Sequence, residues 1–161
     1  MNAPRWAVFP ELGDYAETRA AHWIATAAEE GPGNRKMSAG PLAWHSPNYQ
    51  TLAFWVLAAA KLVDDGAKIL RAQWWVNVLF PGAAYAPHEH PGNFAFVLHL
   101  TGGARVEFEN EAKLHQIFSP EPGGLIVFPS KWIHRTEPVN GPGARVSIAG
   151  NLWLDLGARN P

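Results

Sequence analysis

The sequence predicts a mainly β fold with N-terminal helices, an α+β chain built around a small barrel or sandwich. Three observations predict it. Apolar residues recur at helical spacing in the first 65 positions. After Gly66, seven short β-rich runs alternate with Gly/Pro turns. The length, 161 residues with 47% apolar and 17% charged content, suits one domain with a substantial core, so 1–161 is read as a single unit.

The elements follow in order. Asp14 and Glu17 are spaced as a capping-box variant, and Ala16, Ala20, Trp23 and Ala27 recur at helical period, so a first helix starts here. "GPG" at 31–33 stops it. The Gly/Pro-rich stretch 29–43, with its basic "NRK", reads as a loop, either a plain connection or a lid over a site. A second helix is expected over 51–65. Leu52, Trp55, Val56, Ala59, Leu62 and Val63 form its apolar stripe, and "DDG" closes it. The strands expected next are "QWWVNVLF", "NFAFVLHL", "ARVEFEN", "KLHQIF", "GLIVF", "IHRTEPV" and "ARVSIAGNLWL". They are separated by turn signals at 81–82, 102–103, 120–124 and 140–143. Residues 1–66 thus read as helical support and 67–156 as the β core.

Composition excludes several function classes. There is no cysteine, so disulfides, thiolate catalysis and zinc–cysteine sites are ruled out, and seven histidines carry any imidazole chemistry. A net charge of −1 gives no electrostatic footprint for nucleic acid or an anionic membrane. The start "MNAPRWAVFP" lacks a charged segment followed by an apolar one, and the longest apolar run, 52–60, is too short to span a bilayer. A cytoplasmic, soluble protein is expected.

The stretch "YAPHEHPGNF" at 85–94 sets His88 and His90 two apart. On a strand both point to one face and Glu89 to the other. A third imidazole is available in His134, which follows "GLIVF" and the Pro129-Ser130 turn and so opens the next strand. Three nitrogens without a thiolate suit Fe(II), Mn, Ni, Cu or Zn. The competing reading is a pair of solvated or hydrogen-bonded structural histidines. Arg145 and Ser147 are also two apart, and Asn151 shares their parity. An inward guanidinium needs an anion, either a bound carboxylate or a protein acid such as Glu107 or Glu137.

The segments "WWVNVLFPGAAYAPHEHPGN", "FVLHLTGG", "PGGLIVFPSKWIHRTEPV" and "ARVSIAGN", in this order across 74–151, resemble the double-stranded β-helix 2-oxoglutarate/Fe(II) oxygenases. They look most like a compact group of 2OG-Fe(II) oxygenases common in phage and bacteria. "AWHS" at 43–46 is similar to that group's "gWqS" element. The resemblance implies a jelly-roll, cupin-like barrel using Fe(II), 2-oxoglutarate and O2. The expected reaction hydroxylates a small molecule or carrier-delivered group, releasing succinate and CO2. His88, His90 and His134 would be the metal ligands. Arg145 and Ser147 would take the distal carboxylate of 2-oxoglutarate.

The superfamily's usual acid position holds His90, so either three histidines bind the metal or only His88 and His134 do. His99 is either a co-substrate contact or a core histidine, and Asn77 is a candidate pocket residue. Asn93, Trp132 and Asn151 are candidates for the substrate side; a turn residue and a core wall are the alternatives for Asn93 and Trp132. No nucleic acid or membrane partner is expected, and the many aromatics leave a homo-oligomer open. Two rivals stand beside this reading. One is a three-histidine cupin-type dioxygenase that does not use 2-oxoglutarate, in which the usual cupin glutamate would fall near Ala95. The other is a non-catalytic small-molecule-binding barrel. Arg145-x-Ser147 separates the first of these from the oxygenases, since a cupin has no need of it.

Overall fold

The computed structural model describes residues 4–9, 22, 24–25, 29–31, 35–37 and 49–157. Its strands are β1 (Arg5–Val8), β2 (Glu29–Gly31), β3 (Arg35–Met37), β4 (Lys68–Leu79), β5 (Tyr85–His88) and β6 (Phe94–His99). They continue as β7 (Val106–Glu109), β8 (His115–Phe118), β9 (Gly124–Pro129), β10 (Ile133–Thr136) and β11 (Arg145–Asp155). Helix α1 spans Tyr49–Val63. The strands form a seven-stranded sheet, β1-β9-β6-β11-β4-β3-β2, and a four-stranded sheet, β5-β10-β7-β8. The described pairings are antiparallel.

Alternation along the strands of the large sheet sorts side chains onto two covered faces. On one face Trp74, Val76, Phe96, Leu98, Val127, Ile148 and Leu152 pack against Trp55, Val56, Ala59, Ala60 and Val63 of α1. On the other, Ala95, Val97, Ile126, Phe128 and Ala149 meet Val106, Phe108 and Trp132 of the smaller sheet and its turn. Each large side chain so buried contributes about 1.5–3 kcal/mol. Burial on both faces explains why "FAFVLH", "GLIVF" and "RVSIAGNL" are almost unbroken apolar runs rather than alternating ones. The two sheets thus face each other as a cupin-like jelly roll.

The second helix lies close to its expected position, and Trp55, Val56, Ala59, Leu62 and Val63 of its stripe pack on the sheet. Its exit is set by Asp64: the side-chain oxygen accepts from the Gly66 N–H at 2.8 Å and the carbonyl from the Ala67 N–H. Of the first expected helix, only His22, Ile24 and Ala25 are described, and they are helical; Asp14 and Glu17 lie outside the described residues. Two expectations for the N-terminal part need correction. Residues 29–43 are not wholly a loop, because β2 and β3 pair with each other and β3 pairs with β4, placing Met37 opposite Asn77. Residues 1–66 are not only helical, because β1 caps the other edge of the large sheet against β9. Among the described residues no helix is long and apolar enough to cross a membrane.

Candidate active site

Between the sheets lies a cavity of about 320 Å³, lined by residues of both. That is near the lower end of the range for small-molecule sites, ~300–1,000 Å³. Histidines stand at one end and an arginine shares the same enclosure.

His88 ends β5 and His134 is the second residue of β10, and the two are direct cross-strand partners. His90 is not on the strand. This corrects the expectation that the pair sits on one continuous strand. The chain leaves β5 after His88, and His90 is placed by contacts with the next turn. Its N–H donates to the Ser130 carbonyl at 2.9 Å, and Ser130 Oγ donates to the Gly92 carbonyl at 2.6 Å. Gly92 has φ +92°, and a Cβ there would lie 2.6 Å from the Leu152 carbonyl oxygen. Only glycine lets this loop lie so close against β11. Because His90 has left the strand, Glu89 does not face away. It lies exposed on the cavity rim, with Lys131 Nζ 3.4 Å from its carboxylate.

The candidate ligand atoms of His88, His90 and His134 lie within 4.8 Å of one another. Their second nitrogens are held by oxygen acceptors. His88 Nδ1 is 2.8 Å from the Ala86 carbonyl, His90 Nδ1 is 2.8 Å from Asn151 Oδ1, and His134 Nδ1 is 3.5 Å from the Trp132 carbonyl. An oxygen without hydrogen can only accept, so these contacts favour the tautomer with the proton on Nδ1, in which Nε2 presents a lone pair. His90 Nε2 and His134 Nε2 stand 3.2 Å apart. Two ligands ~2.1 Å from one metal and near a right angle lie about 3 Å apart, so this spacing fits a shared cation. Burial pushes the His90 pKa down to about 4, with the neighbouring His88 adding to it and the Asn151 hydrogen bond opposing it. Burial, then the nearby His88 and His90, push His134 down to about 3. Both are neutral at pH 7, the form that ligates a metal.

Arg145 is 3% exposed and opens β11. No carboxylate pairs with it among the described residues. The acids weighed as partners are engaged elsewhere: Glu107 with Arg135 at 2.6 Å and Glu137 with Arg105 at 2.8 Å. Among the described residues the Arg145 side chain has one hydrogen-bond contact, Nη2 to His99 Nδ1 at 3.4 Å, and its Nε is buried without a partner. Ser147 Oγ is likewise buried and unpartnered. Burial lowers the Arg145 pKa to about 10, so it stays charged at pH 7. A buried cation beside a free hydroxyl and facing a cavity is chemically matched to a carboxylate.

The remaining predicted site residues divide. Asn77 lines the cavity and accepts from the Tyr85 hydroxyl at 2.9 Å. His99 is fully buried behind Arg145, with its Nε2 unpartnered. Burial and the adjacent guanidinium hold its pKa well below the usual value, so it is neutral. Three candidates for the substrate side do not line the cavity. Asn151 stands behind His90. Trp132 is packed in the core between the sheets with Phe108 and Phe128. Asn93 is a clamp: its Nδ2 donates to the Leu154 carbonyl at 2.8 Å, and its Oδ1 accepts from the Leu154 N–H at 2.9 Å. Sequence reasoning missed Trp75, Tyr85 and Thr136, which do line the cavity. Trp75 stacks on the His90 ring at 5.6 Å between centroids. The available signal was parity, since Trp75 precedes Asn77 by two on one strand.

The architecture is the jelly roll shared by 2OG-Fe(II) oxygenases and cupin-type proteins. It is similar to a prolyl-4-hydroxylase from Pseudomonas putida, with TM-score 0.74 and 17% identity over 93% of this chain and 91% of that one. A 2OG-Fe(II) oxygenase family oxidoreductase from Burkholderia pseudomallei gives TM-score 0.64 and 15% identity over 90% and 82%. A prolyl hydroxylase from Trichoplax adhaerens, solved with a hypoxia-inducible-factor peptide fragment, gives 0.68 and 10% over 92% and 83%. An oxalate decarboxylase from Lactobacillus farciminis gives 0.53 and 15%, over 79% of this chain and 31% of that one. No family model matches the sequence, and neither does any curated protein. At these identities the likeness is one of fold.

Proposed function

We propose that the protein is a non-haem Fe(II)- and 2-oxoglutarate-dependent oxygenase that hydroxylates a small molecule or a carrier-delivered group. One observation carries this reading: a cluster of three imidazoles and a buried arginine without an acid partner among the described residues share a single small cavity. His88, His90 and His134 would hold the iron through Nε2. Arg145 and Ser147 would grip the distal carboxylate of 2-oxoglutarate, with His99 behind the guanidinium and Asn77 on the cavity wall. Fe(II) with 2-oxoglutarate and O2 supplies oxidative decarboxylation to succinate and CO2, coupled to insertion of an oxygen atom into a substrate C–H bond. The chain's own part is to orient these groups, keep His90 and His134 neutral by burial and exclude water behind Trp75, Val97, Val106 and Ala149.

The all-imidazole ligand set also suits a cupin-type dioxygenase that does not use 2-oxoglutarate. Arg145 argues against that alternative. Anaerobic Fe(II) titration with and without 2-oxoglutarate tests the choice. The proposal expects a weak visible charge-transfer band that needs 2-oxoglutarate and fades in Arg145→Ala. Iron binding with no such band favours the cupin-type chemistry. Absence of metal binding overturns both.

A further inference from the structure

Asn151 has no place in the cavity, yet it is 4% exposed and sits on the strand that carries Arg145 and Ser147. Its side-chain oxygen lies 2.8 Å from His90 Nδ1. We propose that Asn151 is the positioning residue that makes His90 a metal ligand, by fixing which of its ring nitrogens carries the proton.

A neutral imidazole has two tautomers, and here they have opposite consequences. With the proton on Nδ1, donated to Asn151 Oδ1, the Nε2 lone pair is free. With the proton on Nε2, that N–H points at His134 Nε2, 3.2 Å away, whose lone pair is a ready acceptor. The second arrangement closes a histidine–histidine hydrogen bond across the place a cation would take, and removes two ligand atoms at once. The ring's position does not decide between them. Trp75 stacks on the His90 face at 22°, and Phe128 meets it edge-on at 71°, and neither ring distinguishes one nitrogen from the other. The selection comes from the orientation of Asn151, which turns Oδ1 rather than its NH2 toward Nδ1, because a carbonyl oxygen accepts and cannot donate.

The same pairing bears on charge. His88 and His134 are oriented by backbone carbonyls, whereas His90 is oriented by a side chain. It is therefore the one ligand whose basicity a single substitution tunes. A carboxylate at 151 would keep the Nδ1–H tautomer and push electron density onto Nε2.

This inference rests on the metal-site reading above, and the test separates the two. Nitrogen-15 NMR of the histidines in the metal-free full-length protein reports which nitrogen of His90 is protonated. Anaerobic Co(II) and Fe(II) titrations report affinity for wild type, Asn151→Leu, Asn151→Asp and His90→Ala. The expected result is a wild-type proton on Nδ1. Asn151→Leu should shift it to Nε2 and weaken metal binding about 10–100-fold, approaching the loss in His90→Ala. Asn151→Asp should keep Nδ1–H and bind at least as tightly as wild type. A wild-type proton on Nε2, or a leucine variant that binds like wild type, overturns the role of Asn151 alone. A wild type that binds no metal overturns this role together with the proposed function. Should Asn151→Leu fail to fold, Asn151→Asp decides: affinity at or above wild type supports the role, and a tenfold loss overturns it.

Discussion

Replacing Arg145 by methionine is expected to stabilise the ligand-free protein while abolishing its response to 2-oxoglutarate. Arg145 is almost fully buried, has no acid partner among the described residues and leaves its Nε unpaired. Burial lowers its pKa from the usual guanidinium range by more than two units, to about 10. At ~1.4 kcal/mol per tenfold, this disfavours the charged side chain by about 3 kcal/mol relative to water. Compensation is slight among the described residues: a long contact, 3.4 Å to His99, and a favourable interaction with Tyr85. Methionine has a similar length and no charge, and exchanging buried charges for apolar side chains is often neutral or stabilising by about 1–4 kcal/mol. Urea unfolding of the metal-free proteins should therefore place Arg145→Met at or above wild type by about 1–3 kcal/mol.

With Mn(II) present in every sample and oxygen excluded, adding 2-oxoglutarate should reverse the order. Wild type gains about 4.1 kcal/mol at a thousandfold excess of 2-oxoglutarate over its Kd, while the variant gains almost nothing from the same addition. A ligand-free Arg145→Met that loses 2 kcal/mol or more would refute the reasoning, because it would mean that Arg145 serves the fold.

Other expectations follow from the same structure. Unfolded histidines take up a proton near pH 6.5, whereas folded His90 and His134 resist it down to about 4 and about 3. Between those values the unfolded chain binds more protons, so metal-free stability is complete above pH 6.5 and falls as pH drops toward 3. Urea midpoints that stay flat from pH 7 to 4.5 would contradict this. Gly150→Ala should cost about 1–3 kcal/mol or prevent folding, since a Cβ there runs into the Phe96 ring and the Gln73 carbonyl; a thermal melt like wild type would refute it. Asn93→Ala should lose about 1–3 kcal/mol from the Leu154 clamp yet leave Fe(II) affinity unchanged. Loss of iron binding in a folded Asn93→Ala would place the residue in the site after all.

Much of this was legible in the sequence, and for identifiable reasons. The seven expected strands are bracketed by turn residues, and the second helix has an unambiguous apolar stripe. β1 was not legible, being a lone four-residue run ahead of the stretch where strands alternate with turns, and β5 ends at His88 although alternation had carried the strand on to His90. β2 and β3 are three residues each inside a Gly/Pro-rich stretch, where composition points to a loop. Among site residues, His88, His90, His134 and Arg145 stand out because their chemistry is costly to bury without a purpose. Trp75 and Tyr85 do not, because an aromatic residue that lines a cavity has the same sequence signature as one in the core. Asn151 shows the limit of parity. Alternation places it on the inner face, as expected, but gives no account of which inner side chain lies between it and the cavity. For Trp132 and Asn93 the plain alternatives, core wall and turn residue, describe what the structure shows.

β11 gives the molecule a built-in ruler. Arg145, Ser147 and Asn151 project from one face of it, and the strand is fixed on both sides, by β4 and by β6. At ~3.3 Å per residue, Arg145 and Asn151 are about 20 Å apart along the backbone. Inserting or deleting one residue between them would not merely change that distance. It would turn one end of the ruler to the helix side of the sheet, so the anion grip and the support for His90 could not both face inward. Length variation in this protein's relatives should therefore fall in the turns, while the seven positions 145–151 keep a constant count.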